Sequence, residues 1–198
     1  MENENEALRP APDAPAEAAL FQNTVTMGYS EYLQAIREML RRNSKLSGPF
    51  VWAEAAVLAL LAVYFLARHG VSSTSFPLAV VLIALAGLLI FLYVGLPRIQ
   101  AKGIVKRSQE AFGGPPVMDT FFYADGLLVR SRADKAELRY AYDVFAACME
   151  TEDLFLLQTK QKQAVTLGKA GFSGTDEHAF RAFIQQKLPG AKFYWKNA

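Results

Sequence analysis

The stretch FVWAEAAVLALLAVYFLA, Phe50–Ala67, decides the fold class. Between Lys45 and Arg68 its one charged side chain is Glu54, and at about 1.5 Å of rise per residue the intervening positions span the roughly 30 Å hydrocarbon core of a bilayer. A transmembrane helix over about 49–67 is predicted. A second run, PLAVVLIALAGLLIFLYVGLP (Pro77–Pro97), carries no charge, and its proline falls in a first helical turn, where the missing N–H is tolerated. It predicts a second span over about 77–97. The connector RHGVSSTS is short and polar, so the two helices form an antiparallel hairpin over 47–97.

Orientation follows from the flanking positive charges. Arg37, Arg41, Arg42 and Lys45 precede the first span and Arg98, Lys102, Lys106 and Arg107 follow the second, against Arg68 alone in the connector. Both termini are expected in the cytoplasm. The same eight residues are candidate contacts for anionic lipid. Glu54 falls about one turn inside the expected cytoplasmic boundary, where a carboxylate paired with Arg98 or Lys45 escapes most of its desolvation penalty. A proton- or ion-handling carboxylate is the alternative reading, although a relay needs further ionisable groups at depth and the second span has none.

The remaining composition narrows the classes. A net charge of +2 over 198 residues is far from the basic stripe of a nucleic-acid binder, and none is expected as a partner. The single cysteine, Cys148, cannot form an intrachain disulfide and reads as a small core residue. Residues 1–20 mix Glu, Asn, Pro and Ala without periodicity and read as a disordered acidic tail with no cleaved signal peptide.

Over 21–46 a short strand is expected at LFQNTVTM, then a helix from Ser30 to about Arg42 with Tyr32, Leu33, Ile36, Met39 and Leu40 on one face. That helix is either core-facing or interfacial. After the hairpin, 98–116 reads as a basic juxtamembrane helix and linker that stops at GGPP, Gly113–Pro116.

From Val117 the pattern alternates, and 117–190 reads as a small antiparallel β domain closed by a helix over about 175–188. Asp125-Gly126 predicts a type I′ hairpin turn, and the run beginning at Glu137 is expected to bend near Tyr142-Asp143 into two strands. The element order is that of a pleckstrin-homology-like (PH-like) domain. Hence the expected fold class is an α+β membrane protein with a two-helix hairpin and a PH-like β domain. Its aromatic and basic tail, 191–198, contains AKFYWKNA, suited to a barrel face, the membrane interface or another chain.

The parts VTMGYSEYLQAIREML (25–40), LPRIQAKGIVKR (96–107), FYADGLLVRS (122–131), AELRYAYDVFAACMETEDLFLLQ (136–158) and TLGKAGFSGTDEHAFRAFIQQKL (166–188) resemble the YcxB-like family of bacterial membrane proteins. Tyr140 stands where such proteins often have Trp, and LGKAGF replaces an Ile-Pro-Lys-Arg-Ala-Phe type of stretch. The resemblance implies a bacterial inner-membrane protein with an anchored cytoplasmic domain and no defining catalytic signature.

No reaction centre presents itself. His69 and His178 belong to different parts of the chain, Cys148 has no base beside it in the pattern, and no catalytic residue, metal ligand or cofactor is assigned. Arg132, Lys135, Arg139 and Lys169 are the candidate headgroup- or ligand-contacting residues of the β domain. The expected function is a membrane-anchored, non-enzymatic adaptor meeting a membrane protein or a second copy. An anionic-lipid or small-ligand sensor is the alternative, and a transporter or membrane-enzyme subunit the weaker one.

Overall fold

The computed structural model describes residues 19–43, 48–69, 75–173 and 176–196, and the chain divides into two compact units, 36–106 and a β-rich unit built from both flanks of it. The tail at 1–18, Lys45 and most of the hairpin connector lie outside the described residues.

In the helical unit, α2 (Gly48–His69) and α3 (Ser75–Ile90) are long and apolar as expected. Val51, Ala55 and Ala62 are buried on α2, and Ala79 and Ala86 on α3, so small side chains line the seam and the backbones come close. Leu60, Val63, Val80, Val81 and Ile83 point outward. The second apolar helix is continuous with the basic helix after it: α3 passes through a π-helical turn at Phe91–Gly95 into α4 (Leu96–Phe112). Pro97 explains the turn. Its ring opposes the Tyr93 carbonyl and it has no N–H to offer, so the helix widens and Leu96 N–H bonds Phe91 O, five residues back.

The β-rich unit contains two sheets. One has the order β4-β3-β2-β1-β8 and the other β7-β6-β5-β9, where β9 is Lys192–Tyr194. Strand β1 (Phe21–Thr26) lies ahead of the hairpin in sequence, yet it pairs along its whole length with β2 (Val117–Phe122), from Phe21↔Phe122 to Thr26↔Val117. It also pairs with β8 (Phe172–Ser173). β3 (Gly126–Ser131) and β4 (Glu137–Ala141) complete that sheet, and the bend falls at a 3-10 turn, Tyr142–Val144, before β5 (Phe145–Glu150) starts the second. β6 (Leu154–Thr159) and β7 (Ala164–Gly168) follow in antiparallel register.

Phe122, Leu127, Phe155, Leu157, Leu167, Phe180 and Ile184 form the centre of the core. The last two come from α5 (Glu177–Lys187), whose N-cap is Asp176: its carboxylate accepts from Ala179 N–H at 2.7 Å. The Asp125-Gly126 turn is not type I′, since neither residue has positive φ. Gly126 is required for a lateral reason instead. A Cβ there would overlap the Tyr140 carbonyl oxygen of the neighbouring strand. Gly113, at φ +75°, ends α4 as the GGPP reading anticipates.

Of the stripe expected on α1 (Tyr29–Asn43), Leu40 is exposed and the other four are half-buried, while the buried positions of the helix are Ala35 and Glu38. Glu38 is kept there by Arg41 at 2.8 Å and Arg42 at 3.0 Å.

Candidate functional site

Glu150 ends β5 with its side chain only 1% exposed, a position at which a lone carboxylate would be heavily penalised. Two cations meet it. Lys169 Nζ donates to Glu150 Oε1 at 2.5 Å and Arg181 Nη2 donates to the same oxygen at 2.6 Å. Glu177, one turn before Arg181 on α5, lies 3.4 Å from Lys169 and 3.7 Å from Arg181, so the four formal charges cancel. Burial pushes the Glu150 carboxyl up, and the hydrogen bonds and charges of Lys169 and Arg181 outweigh it, holding the group below its ordinary value. Aromatic rings close the cluster: the Lys169 ammonium is 5.3 Å from the Phe155 ring centre and the Arg181 guanidinium 5.8 Å from that of Trp195.

The turn that carries Lys169 is positioned by the first strand. Asn23, fully buried on β1, donates from Nδ2 to Gly168 O at 2.7 Å and accepts from Gly168 N–H at 3.1 Å, bridging the two sheets as a strand would. The turn Lys169–Gly171 then runs so close to β1 that a Cβ on Gly171 would overlap the Thr24 carbonyl oxygen.

The other basic candidates are dispersed. Arg132 donates twice to Asp119, at 2.6 and 2.8 Å, and Thr24 donates to the same carboxylate at 2.7 Å. These bonds, Arg132 first, hold the Asp119 carboxyl below its usual range. Arg139 faces Asp125 at 3.2 Å. Lys135, exposed at φ +58° in the β3–β4 turn, has no ion-pair partner among the described residues. Lys169 is therefore committed internally, and the four do not converge on one site.

In the helical unit, Arg98 and Lys102 are exposed one turn apart on α4, and among the described residues neither has an ion-pair partner. Arg37 and Lys106 are also exposed, and so is Arg107 in the β-rich unit. Arg41 and Arg42 are the pair engaged by Glu38. The expected Glu54–Arg98 ion pair does not form, and the register of the hairpin gives the reason. A Cβ on Gly48 would stand 2.5 Å from Tyr93 Oη, so those two residues mark one level across the seam. Glu54 lies six residues beyond Gly48 on α2 and Arg98 five residues beyond Tyr93 on the antiparallel helix, so the two diverge from that contact in opposite directions. Among the described residues no group of three or more metal-ligating side chains is present, Lys45 lies outside them, and His178 is exposed on α5.

Sequence reasoning singled out Lys169, but not its union with Glu150 and Arg181. Arg181 follows Glu177 by four residues on a helix, a spacing that signals a local pair and says nothing of a carboxylate thirty-one residues away.

The part of the chain that supplies Glu150, Lys169 and Arg181 coincides with a known sequence pattern. Residues 122–184 match the family model for YcxB-like protein. The YcxB-like stretch thus begins at the last residue of β2 and ends within α5, with the two apolar helices ahead of it. It includes the whole ion cluster and excludes β1, which holds the cluster's turn in place. No curated protein matches the chain.

Proposed function

We propose that the chain is a membrane-anchored interaction module: the hairpin inserts in a bacterial inner membrane with both flanks cytoplasmic, and a PH-like domain is tethered at the surface to engage a membrane protein or a second copy. The observation that carries the reading is the outward display of apolar surface. The apolar windows of helices Gly48–Arg68 and Phe76–Phe112 are only 17% and 11% buried, whereas the core helix of a water-soluble protein would be mostly covered. Anchoring confines the β-rich unit to a thin layer and raises its effective concentration for a neighbour in the same membrane.

The test is fractionation of the full-length chain expressed in a bacterium, with alkaline extraction and cysteine accessibility at Arg68→Cys and Lys160→Cys. Retention in the membrane pellet, with Lys160→Cys shielded and Arg68→Cys labelled from outside, is the expected result. Release by alkali removes the reading.

Anionic-lipid contact is a second reading, favoured by Arg98 and Lys102, exposed directly after the apolar run and without an ion-pair partner among the described residues. Flotation with vesicles of mixed neutral and anionic lipid checks it. Arg98→Glu with Lys102→Glu is expected to reduce the salt-sensitive part of retention, and an unchanged salt profile sinks it.

A further inference from the structure

Glu54 is the one charged side chain of α2 before Arg68, and it is half-buried beside the seam that Val51, Ala55 and Ala62 make with α3. Among the described residues it makes no hydrogen bond and no ion pair. Arg98 diverges from it along the antiparallel helix, and α3 itself has no charged side chain to offer. The hairpin therefore holds a carboxylate that it does not neutralise.

The face on which Glu54 stands is continuous. Phe50, Glu54, Val57, Leu61 and Tyr64 fall at i, i+4, i+7, i+11 and i+14, and the four apolar members are exposed. Alternate steps of four and three keep one helix against another over a whole span. Under the proposed membrane anchoring, lipid chains suit the four apolar side chains and do not suit the carboxylate. What suits it is a cation at its own depth. A lysine or arginine inside a neighbouring membrane helix is penalised in the same way until it meets a carboxylate, so the two needs are complementary. A second copy inserted the same way up would instead bring Glu54 against Glu54, like charge against like.

We propose that the Phe50–Tyr64 face of α2 docks a membrane helix of another protein that carries a lysine or arginine at the depth of Glu54, the carboxylate accepting a hydrogen bond from that cation. This rests on the membrane-anchored interaction module and deepens it by stating the chemistry of the partner.

The test uses the full-length chain in vesicles of neutral lipid, with the photo-crosslinker p-benzoylphenylalanine in place of Leu61 on this face or of Val63, exposed on the opposite one. The probe is a leucine-based transmembrane peptide with a single lysine at the depth of Glu54, beside otherwise identical peptides with leucine or glutamate there. At equal mole fraction the lysine peptide is expected to join position 61 about tenfold more than the leucine peptide, the size of a strong polar contact between membrane helices. Position 63 is expected to show no such preference. Glu54→Gln is expected to abolish it, and Glu54→Lys to transfer it to the glutamate peptide. Equal joining of the lysine and leucine peptides overturns the proposal, as does a preference that survives Glu54→Gln or is the same at position 63. A Glu54-dependent product between two copies, with the lysine peptide no better than the leucine one, overturns it in favour of a carboxyl pair. If Glu54→Lys fails to insert, Glu54→Gln decides. Retention of the chain through an alkaline wash is read first: loss of the chain removes the anchor and the proposal together, whereas retention without a charge preference removes the proposal alone.

Discussion

Asn23 and Gly168, 145 positions apart, exchange two hydrogen bonds through one side-chain amide, at 2.7 and 3.1 Å. Because β1 and β7 belong to different sheets, this amide is a main-chain-like rung between them. Asn23→Ala leaves a carbonyl and an N–H of Gly168 unsatisfied and is expected to destabilise the β-rich unit by about 2–4 kcal/mol. Asn23→Asp keeps the acceptor and loses the donor. Hydrogen exchange of 164–173 in the full-length chain reads both, and unchanged protection in Asn23→Ala refutes the assignment.

The Glu150 cluster predicts an asymmetry between breaking and replacing. Glu150→Gln strands Lys169 and Arg181, whose side chains are 13% and 24% exposed, and is expected to cost roughly 3–5 kcal/mol. The joint replacement Glu150→Leu, Lys169→Met, Arg181→Met removes all three charges and is expected to cost less than Glu150→Gln alone. Denaturant midpoints of the two variants decide it.

The pH dependence follows from the same carboxylate. Its native pKa lies below the ordinary 4.5, so the unfolded chain binds the proton first as acid is added. Stability from this group is complete above about pH 4.5 and is lost as pH falls through the depressed native value. Asp119, held below its ordinary 3.8, adds a further loss at lower pH. Glu150→Gln is expected to flatten the slope of unfolding free energy against pH below 4.5. An unaltered slope would contradict the role given to Lys169 and Arg181.

Two glycines give opposite signs. Gly171→Ala drives a methyl into the Thr24 carbonyl and is expected to destabilise by more than about 2 kcal/mol. Gly103→Ala, in α4 with nothing within 4 Å of the added carbon, is expected to stabilise the helix by about 0.5–1 kcal/mol. Thermal unfolding of the two variants checks both.

Cys148 is fully buried, and burial, with Glu150 nearby, pushes its thiol far up from the ordinary value. Maleimide labelling of the native chain is expected to be negligible over hours and to become complete in denaturant. Rapid native labelling would place the thiol outside the core.

What the sequence made legible was local. The two apolar runs, the bend at Tyr142–Val144 and the stop at Gly113 each follow from neighbours within a few residues. The place of β1 was not legible, because Phe21 meets Phe122 across 101 positions with the hairpin between them, and an isolated strand pattern does not name its partner. Three residues, Lys192–Tyr194, are too few for a period, so β9 read only as an aromatic tail. The type I′ expectation at Asp125-Gly126 failed because the same dipeptide also suits a site where a neighbouring strand leaves no room for a Cβ. Of the candidate site, the charges were visible and their pairing was not.

The position of β1 between β2 and β8 bears on how the molecule is made. The ribosome releases Phe21–Thr26 first, and that strand waits for β2 through the ninety residues that separate Thr26 from Val117. A nascent chain that threads the intervening segment through a bilayer an odd number of times leaves β1 and β2 in different compartments, and the sheet never closes. Under the proposed membrane anchoring, completion of the sheet works as a parity check on insertion, and a chain with one apolar helix removed is left with an unfilled sheet for proteases to find.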